Sequence, residues 1–356
     1  MARSHRRRAS VTRRGKTVVT LATVTLVVGG TFAYFTMFPE QAPAFVQRTL
    51  ATVGLADAEP PTPTCPLTGE EVGAVPRRPA LAIKIENAPE ARPQAALNDA
   101  DVVVEQPVEG GYTRFIAIFH CSEADRVGPV RSARSTDPNY LRQLGRTIFG
   151  YAGGVPSVGR EVTRAGLTDE NYEIAVDAYV RDTTKVAPHD LYTSTASLWR
   201  AGRAARTAPA PLFAYASWDA RAKRIGSARL PYSSVADVRW TWSRRADAWV
   251  RAHGSAAHVL EDGSPVVATN VVIQMVDVFD SDILDAAGNP SPEVTLTGRG
   301  RAFVLLDGRM VVARWERETL DDVTTYRTKD GTEVTLRPGT TWVELVPSTV
   351  AVDLAG

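Results

Sequence analysis

At 356 residues, 44% hydrophobic and 23% charged, the chain is long enough for about two domains and too ordinary in composition for a fibrous or disordered protein. Its formal net charge of +1 conceals an asymmetry: residues 1–17 carry Arg3, Arg6, Arg7, Arg8, Arg13, Arg14 and Lys16 and no acid, which leaves 34 bases against 40 acids elsewhere. An acidic body of net −6 argues against nucleic acid as a partner, because phosphate binding needs a basic face.

The basic tail, 1–17, is followed by an uncharged run from Val18 to Phe38, long enough to cross a hydrocarbon core that takes roughly 17–25 helical residues. Positive charge on its N-terminal side predicts a cytoplasmic tail and an extracytoplasmic body, so the expected location is the cell membrane, crossed once, with the membrane itself as a partner. A retained signal anchor is favoured by the length of the run and by Tyr34 and Phe35 at its interfacial end; a cleaved signal peptide is the alternative. Residues 39–64, with Pro43, Pro60, Pro61 and Pro63, read as an extended stalk that cannot bury a core. Cys65 and Cys121 are the two cysteines of the chain. In an oxidising compartment a bridge between them is the economical reading, with two separate buried thiols as the alternative.

Residues 65–207 alternate strand and helix signals and predict a layered α/β domain. LAIKIE, Leu81 to Glu86, reads as a strand that Asn87-Ala88-Pro89 breaks. Val102 to Val108 and Phe115 to Phe119 flank Glu109-Gly110-Gly111 as a hairpin. A helix follows from Thr136 or Asp137 to Leu144, then the strand-like TIFGYAG, then a helix from Pro156 to Ala165 ended by Gly166. Ser194 or Thr193 caps another through Trp199. Residues 208–235 read as a linker. From 236 to 350, short alternating runs punctuated by Asp262-Gly263, Asp307-Gly308, Asp330-Gly331 and Pro338-Gly339 predict a β-rich domain, with Trp240, Trp242, Trp249, Trp315 and Trp342 as core.

Charged residues stand where buried strands would not want them: Glu105, Glu109, Arg114, and then Arg131 and Arg134 in GPVRSAR. Glu109 reads as capping the hairpin or pairing across it with Arg114; ligand contact, or an acid/base pair of Glu105 with Glu109, are the alternatives. Arg131 and Arg134 form a fork for a carboxylate or phosphate, or else an ion-pair network with those glutamates. His189, in a loop, is the best-placed proton-transfer group of the body. No metal and no cofactor is expected. His120, His253 and His258 lack ligand spacing, the acidic run Asp277, Asp280, Asp282 and Asp285 lacks the glycine and glutamate of a calcium loop and reads as a solvated loop, and G-x-S-x-G, S-x-x-K and H-E-x-x-H are absent.

CPLTGE at Cys65, RRPALAIKIENAPEARPQAALNDADVVVEQPVEGGYTRFIAIFH from Arg77 to His120, VGPVRSARSTD from Val127, YAGG at Tyr151, APHDLYTS at Ala187, NVVIQ and PGTTWVELVP together resemble the YerB-like family of bacterial lipoproteins, whose two domains carry no assigned function. The resemblance covers nearly everything after the stalk and implies a two-domain extracytoplasmic protein with an N-terminal layered α/β domain. Two departures stand out. An apolar span replaces the lipidated cysteine of the lipoprotein members, and Asp190 stands where the APHNLY phrase has asparagine. The expected function is that of a membrane-anchored envelope protein binding an anionic or cell-wall-derived ligand through Glu105, Glu109, Arg114, Arg131, Arg134 and His189. A cell-wall hydrolase using Glu105, Glu109 or His189 is the alternative, and the sequence does not decide whether the protein is an enzyme.

Overall fold

The computed structural model describes residues 62–203, 207–216, 222–285 and 288–356. The basic tail, the Val18–Phe38 run and the stalk up to residue 61 lie outside them. Among the described residues no helix is long and apolar enough to cross a membrane.

The N-terminal part contributes β1 (Leu81–Glu86), β2 (Val102–Pro107), β3 (Thr113–Phe119), helix α1 (Thr136–Leu141), β4 (Ile148–Gly150), helix α2 (Pro156–Arg164), β5 (Thr168–Asp169), β6 (Tyr179–Arg181), β7 (Leu191–Thr193) and helix α3 (Thr195–Ala201). The segment 208–235, expected as linker, holds β8 (Lys223–Arg224) and β9 (Ser227–Pro231). The C-terminal part then runs through β10 (Asp237–Ser243), β11 (Ala248–His253), β12 (Ala256–Ala257), β13 (Val267–Ala268), β14 (Asn270–Val276), β15 (Val278–Leu284), β16 (Pro290–Val294), β17 (Gly298–Leu306), β18 (Arg309–Arg317), β19 (Thr325–Arg327), β20 (Thr341–Pro347) and β21 (Asp353–Ala355).

One sheet runs through both parts, in the order β19-β18-β17-β14-β20-β2-β3-β1-β4-β5, with β8 added to β18. Its seam is β20, which lies parallel to β2 on one side (Val102 opposite Thr341) and parallel to β14 on the other (Asn270 opposite Thr341). Strands buried on both faces carry near-continuous apolar runs, which explains why LAIKIE, VVVE and TWVELV read as strands without strict alternation. The odd positions of β1 and β3, Leu81, Ile83, Ile85, Phe115, Ala117 and Phe119, pack in one core with Val103, Trp240, Trp249 and Trp342. That face is covered by the second sheet, β12-β11-β10-β9-β21, and by α3. The even positions, Ala82, Ile116 and Ile118, meet α1 and α2 through Tyr140, Leu141, Val158 and Val162. The result is mostly sheet, in layers, with few and short helices.

The β2–β3 hairpin forms as its turn chemistry dictates. Gly110 and Gly111 take positive φ values of 68° and 76°, which a side-chain-bearing residue would adopt only under strain. Ser194 caps α3 by accepting from the Ser197 N–H, and Trp240, Trp249, Trp315 and Trp342 are buried, while Trp242 is only partly so, packed against the same core. The acidic run that reads as a solvated loop differs. Val278–Leu284 is a strand, paired with β16 in a separate two-stranded arm, because exposed strand positions tolerate carboxylates that alternate with Phe279 and Ile283. Cys65 and Cys121 form a disulfide with 6.1 Å between their Cα atoms.

Candidate functional site

Strand polarity decides which charged side chains meet. Lys84 and Glu86 share the even face of β1, and Arg114 lies directly opposite Glu86 on β3. Glu86 Oε1 accepts from Arg114 Nε at 3.3 Å and its Oε2 from Arg131 Nε at 2.6 Å. Burial pushes the Glu86 carboxyl up, but Arg114 and Arg131 outweigh burial and hold it below its ordinary value. Glu109, in the turn between β2 and β3, takes Arg134 Nε on both oxygens, at 2.5 and 2.7 Å, and is likewise held below its usual range despite burial. Beneath them Lys84 and Asp137, both fully buried, pair at 2.6 Å, and the other Asp137 oxygen accepts the Arg134 backbone N–H at 2.7 Å. Burial drops the Lys84 ammonium to about 8, with Asp137 opposing. This lower layer fixes the chain at Arg134 and so aims its side chain.

Above the layer opens a cleft of about 570 Å³. Glu86, Glu109, Arg114, Arg131, Arg134 and His189 all line it, and the β15–β16 arm closes the far side with Ile283, Leu284 and Ser291. Three polar features have no protein partner among the described residues. Arg131 uses only its Nε, leaving both Nη groups, and the side chain is 28% exposed. The Ser135 hydroxyl is buried and unbonded, and so is Nδ1 of His189. Of these, the Nη groups of Arg131 are the ones that a ligand or water in the cleft can reach. Chemically the cleft can hold an anion against guanidinium N–H groups while Glu86 and Glu109 keep those groups in place.

Glu105 does not join this cleft. It stands on β2 with its side chain on the odd face, against the second sheet, whereas Glu109 sits past the strand end in the turn, so the alternative of an acid/base pair between them is split across the sheet. The Glu109–Arg114 pair is also replaced, Glu109 taking Arg134 and Arg114 taking Glu86. Glu105 is fully buried, bonded to Arg251 Nη2 at 2.6 Å and to Thr113 Oγ1 at 2.6 Å. Arg251 in turn donates to His258 Nδ1 at 2.8 Å, which leaves His258 Nε2 to donate to Gln94 Oε1 at 2.9 Å. Burial, and then the Arg251 charge, hold His258 well below its ordinary value, so the ring is neutral. His120 lies 3.4 Å from the Cys121 sulfur, but both cysteine sulfurs are committed to the bridge. Asp190 is occupied by Arg181, at 2.8 and 3.0 Å.

Close to this pair, Glu344 of β20 is fully buried, accepting from Trp240 Nε1 at 2.7 Å and from Tyr232 Oη at 2.8 Å. Burial first, and then the neighbouring Glu105, push its carboxyl well above the ordinary 4.5, against the pull of Arg251. The folded protein therefore holds this proton more tightly than the unfolded chain does. Its contribution to stability is complete below the unfolded value and is lost as pH rises through the folded one, by up to about 1.4 kcal/mol per pH unit for one proton. Glu344→Gln keeps an acceptor for Trp240 and an N–H for the Tyr232 oxygen, and it is expected to flatten that slope. Urea titrations at a series of pH values above about 5 read the difference; equal slopes in the two proteins would mean that Glu344 folds ionised.

Glu86, Arg251 and Glu344 are absent from the sequence-based set. The signal was present in the pattern, since each is a charge within an otherwise apolar strand, but such a charge says nothing about which distant strand supplies its partner.

Residues 67–208 match the family described as "Protein of unknown function (DUF3048) N-terminal domain", and residues 228–343 match its "C-terminal domain". A Bacillus subtilis (strain 168) protein named "Putative lipoprotein YerB" is 29% identical over 329 residues, 87% of this chain and 95% of the relative. The crystal structure of YerB protein from Bacillus subtilis superposes with a TM-score of 0.70 at 25% identity, covering 82% of this chain and 99% of that one.

Proposed function

Because the chain belongs to the YerB-like family, with both DUF3048 domains in one polypeptide, we propose that it is a membrane-associated extracytoplasmic protein of the bacterial envelope that binds an anionic, cell-wall-derived ligand in the cleft between the β2–β3 turn and the β15–β16 arm. The relative's lipoprotein name, the apolar run Val18–Phe38 with its basic flank, and the disulfide support the location. The ligand reading is carried by one observation: Arg131, a partly exposed residue of the cleft lining, spends only its Nε on Glu86 and keeps both Nη groups for a ligand. Arg131 presents both Nη groups, the edge that grips a carboxylate or phosphodiester bidentately. Apolar Val108, Val155 and Leu284 around it suit the carbon body of such a ligand.

Calorimetric titration of the full-length protein in detergent with defined cell-wall fragments tests this. An anionic fragment is expected to bind, and Arg131→Ala to weaken it by about 10- to 100-fold, the worth of a charge-assisted pair. Arg134→Ala should weaken it less directly, by freeing Glu109. Silence from every fragment, or equal affinity in Arg131→Ala, would remove the cleft from consideration.

A further inference from the structure

A second charged surface lies on the C-terminal part, away from the cleft. Strands β17, β18 and β19 put Arg301, Arg314 and Arg327 directly opposite one another, Arg301 facing Arg314 and Arg314 facing Arg327 in register. All three are exposed. Like charges placed opposite across antiparallel strands repel and lower stability, so nothing in sheet formation favours this row. The rows on either side differ. Phe303 faces Val312 on one, and Arg299 faces Glu316 on the other.

Arg299, Arg301, Arg314, Arg327 and Lys329 line one concave face with the carboxylate Glu316, and Glu333 lies opposite Arg327 at the end of the row, a local net of +3 on a body of net −6. None of the five bases makes an ion pair among the described residues. Arg301 rests over the Phe303 ring, 5.6 Å from its centre, and Arg327 donates to the Gly331 carbonyl at 3.2 Å; neither contact neutralises charge. The nearby Asp330 is occupied by Thr328 and Thr332 in its own turn.

We propose that this stripe is a docking surface for a linear phosphate-bearing polyanion that runs across β17, β18 and β19. Charge complementarity carries the assignment, and the shape selects the class of partner. Adjacent strands are about 4.8 Å apart, so the three guanidinium groups form a line one residue wide and about 10 Å long, bounded by an apolar row. A line suits a chain of phosphates better than a sheet of headgroups. Single-stranded nucleic acid is disfavoured by the lack of an exposed aromatic in the stripe on which bases would stack, Phe303 being buried. This surface shares no residue with the cleft, and the assignment does not rest on what the cleft binds.

Long-chain inorganic polyphosphate is the probe. Full-length protein in neutral detergent, with the seven bases of the N-terminal tail changed to glutamine, is titrated at several salt concentrations beside the same protein carrying Arg301→Gln, Arg314→Gln and Arg327→Gln. The unsubstituted stripe is expected to bind at least tenfold more tightly, and the slope of log affinity against log salt to fall by about 2 in the triple variant, the counterions of three contacts. Thermal melting should show the triple variant unchanged or raised, because like-charge repulsion is relieved, so lost binding cannot be ascribed to misfolding. Equal affinity of the two proteins overturns the proposal. So does tighter binding, through the same arginines, of oligothymidylate or of phosphatidylglycerol vesicles, which would assign the surface to a different class of partner.

Discussion

Replacing Arg251 with methionine is expected to lower the unfolding free energy by about 3–5 kcal/mol, the cost of removing one partner of a buried ion pair. Arg251 and Glu105 both have 0% side-chain exposure and meet at 2.6 Å. Without the guanidinium, Glu105 keeps only Thr113 and Asn87 as donors and stands close to a second buried carboxyl, Glu344. His258 loses the donor to its Nδ1 as well. The loss belongs to the unpaired charge and not to the value of the pair, since well-packed apolar replacement of both partners of such a pair is often neutral. The double variant Glu105→Met with Arg251→Met should therefore recover most of the stability. Urea titration of the three proteins separates the terms, and a single-variant loss below about 1 kcal/mol would mean that water reaches the pair.

Opening the Cys65–Cys121 bridge is the second large effect. The bridge spans 56 residues of sequence, and the chain-entropy relation gives about 4 kcal/mol for a loop of that size. The loop contains β1, β2 and β3, hence Glu86, Glu109 and Arg114 of the cleft. Reduction should lower the denaturation midpoint by an amount that Cys65→Ala with Cys121→Ala reproduces. It should also weaken ligand binding in the cleft more than contacts on the β17–β19 face. An unchanged midpoint in dithiothreitol would show that the unfolded chain is constrained by something other than the bridge.

Much of the local structure was legible. The Gly110-Gly111 turn, the LAIKIE strand, the helix ended by Gly166 and the Ser194 cap each follow from one residue type in one backbone role. The cleft was legible in part, because Glu109, Arg131 and Arg134 lie within a short stretch whose polarity conflicts with burial. Glu105 was misplaced because a hairpin turn breaks the two-residue period, so spacing alone does not say which face each carboxylate takes. Arg251 and Glu344 escaped notice because their partners are more than a hundred positions away, and a lone charge in an apolar strand looks the same wherever the strand inserts. The same holds for the Arg301, Arg314 and Arg327 row. Those residues lie 13 positions apart in sequence, and only the register of three strands turns them into neighbours.

The insertion of β20 carries a consequence for how the protein comes into being. Its pairing with β2 joins Val102–Glu105 to Thr341–Glu344, strands from opposite ends of the described residues. During synthesis the β2 edge emerges long before the strand that covers it. Until then it offers unpaired N–H and C=O groups to any neighbouring chain, and contacts of such long sequence separation form slowly. The two parts of the shared sheet are therefore joined only once β20 has been made and has inserted between β2 and β14.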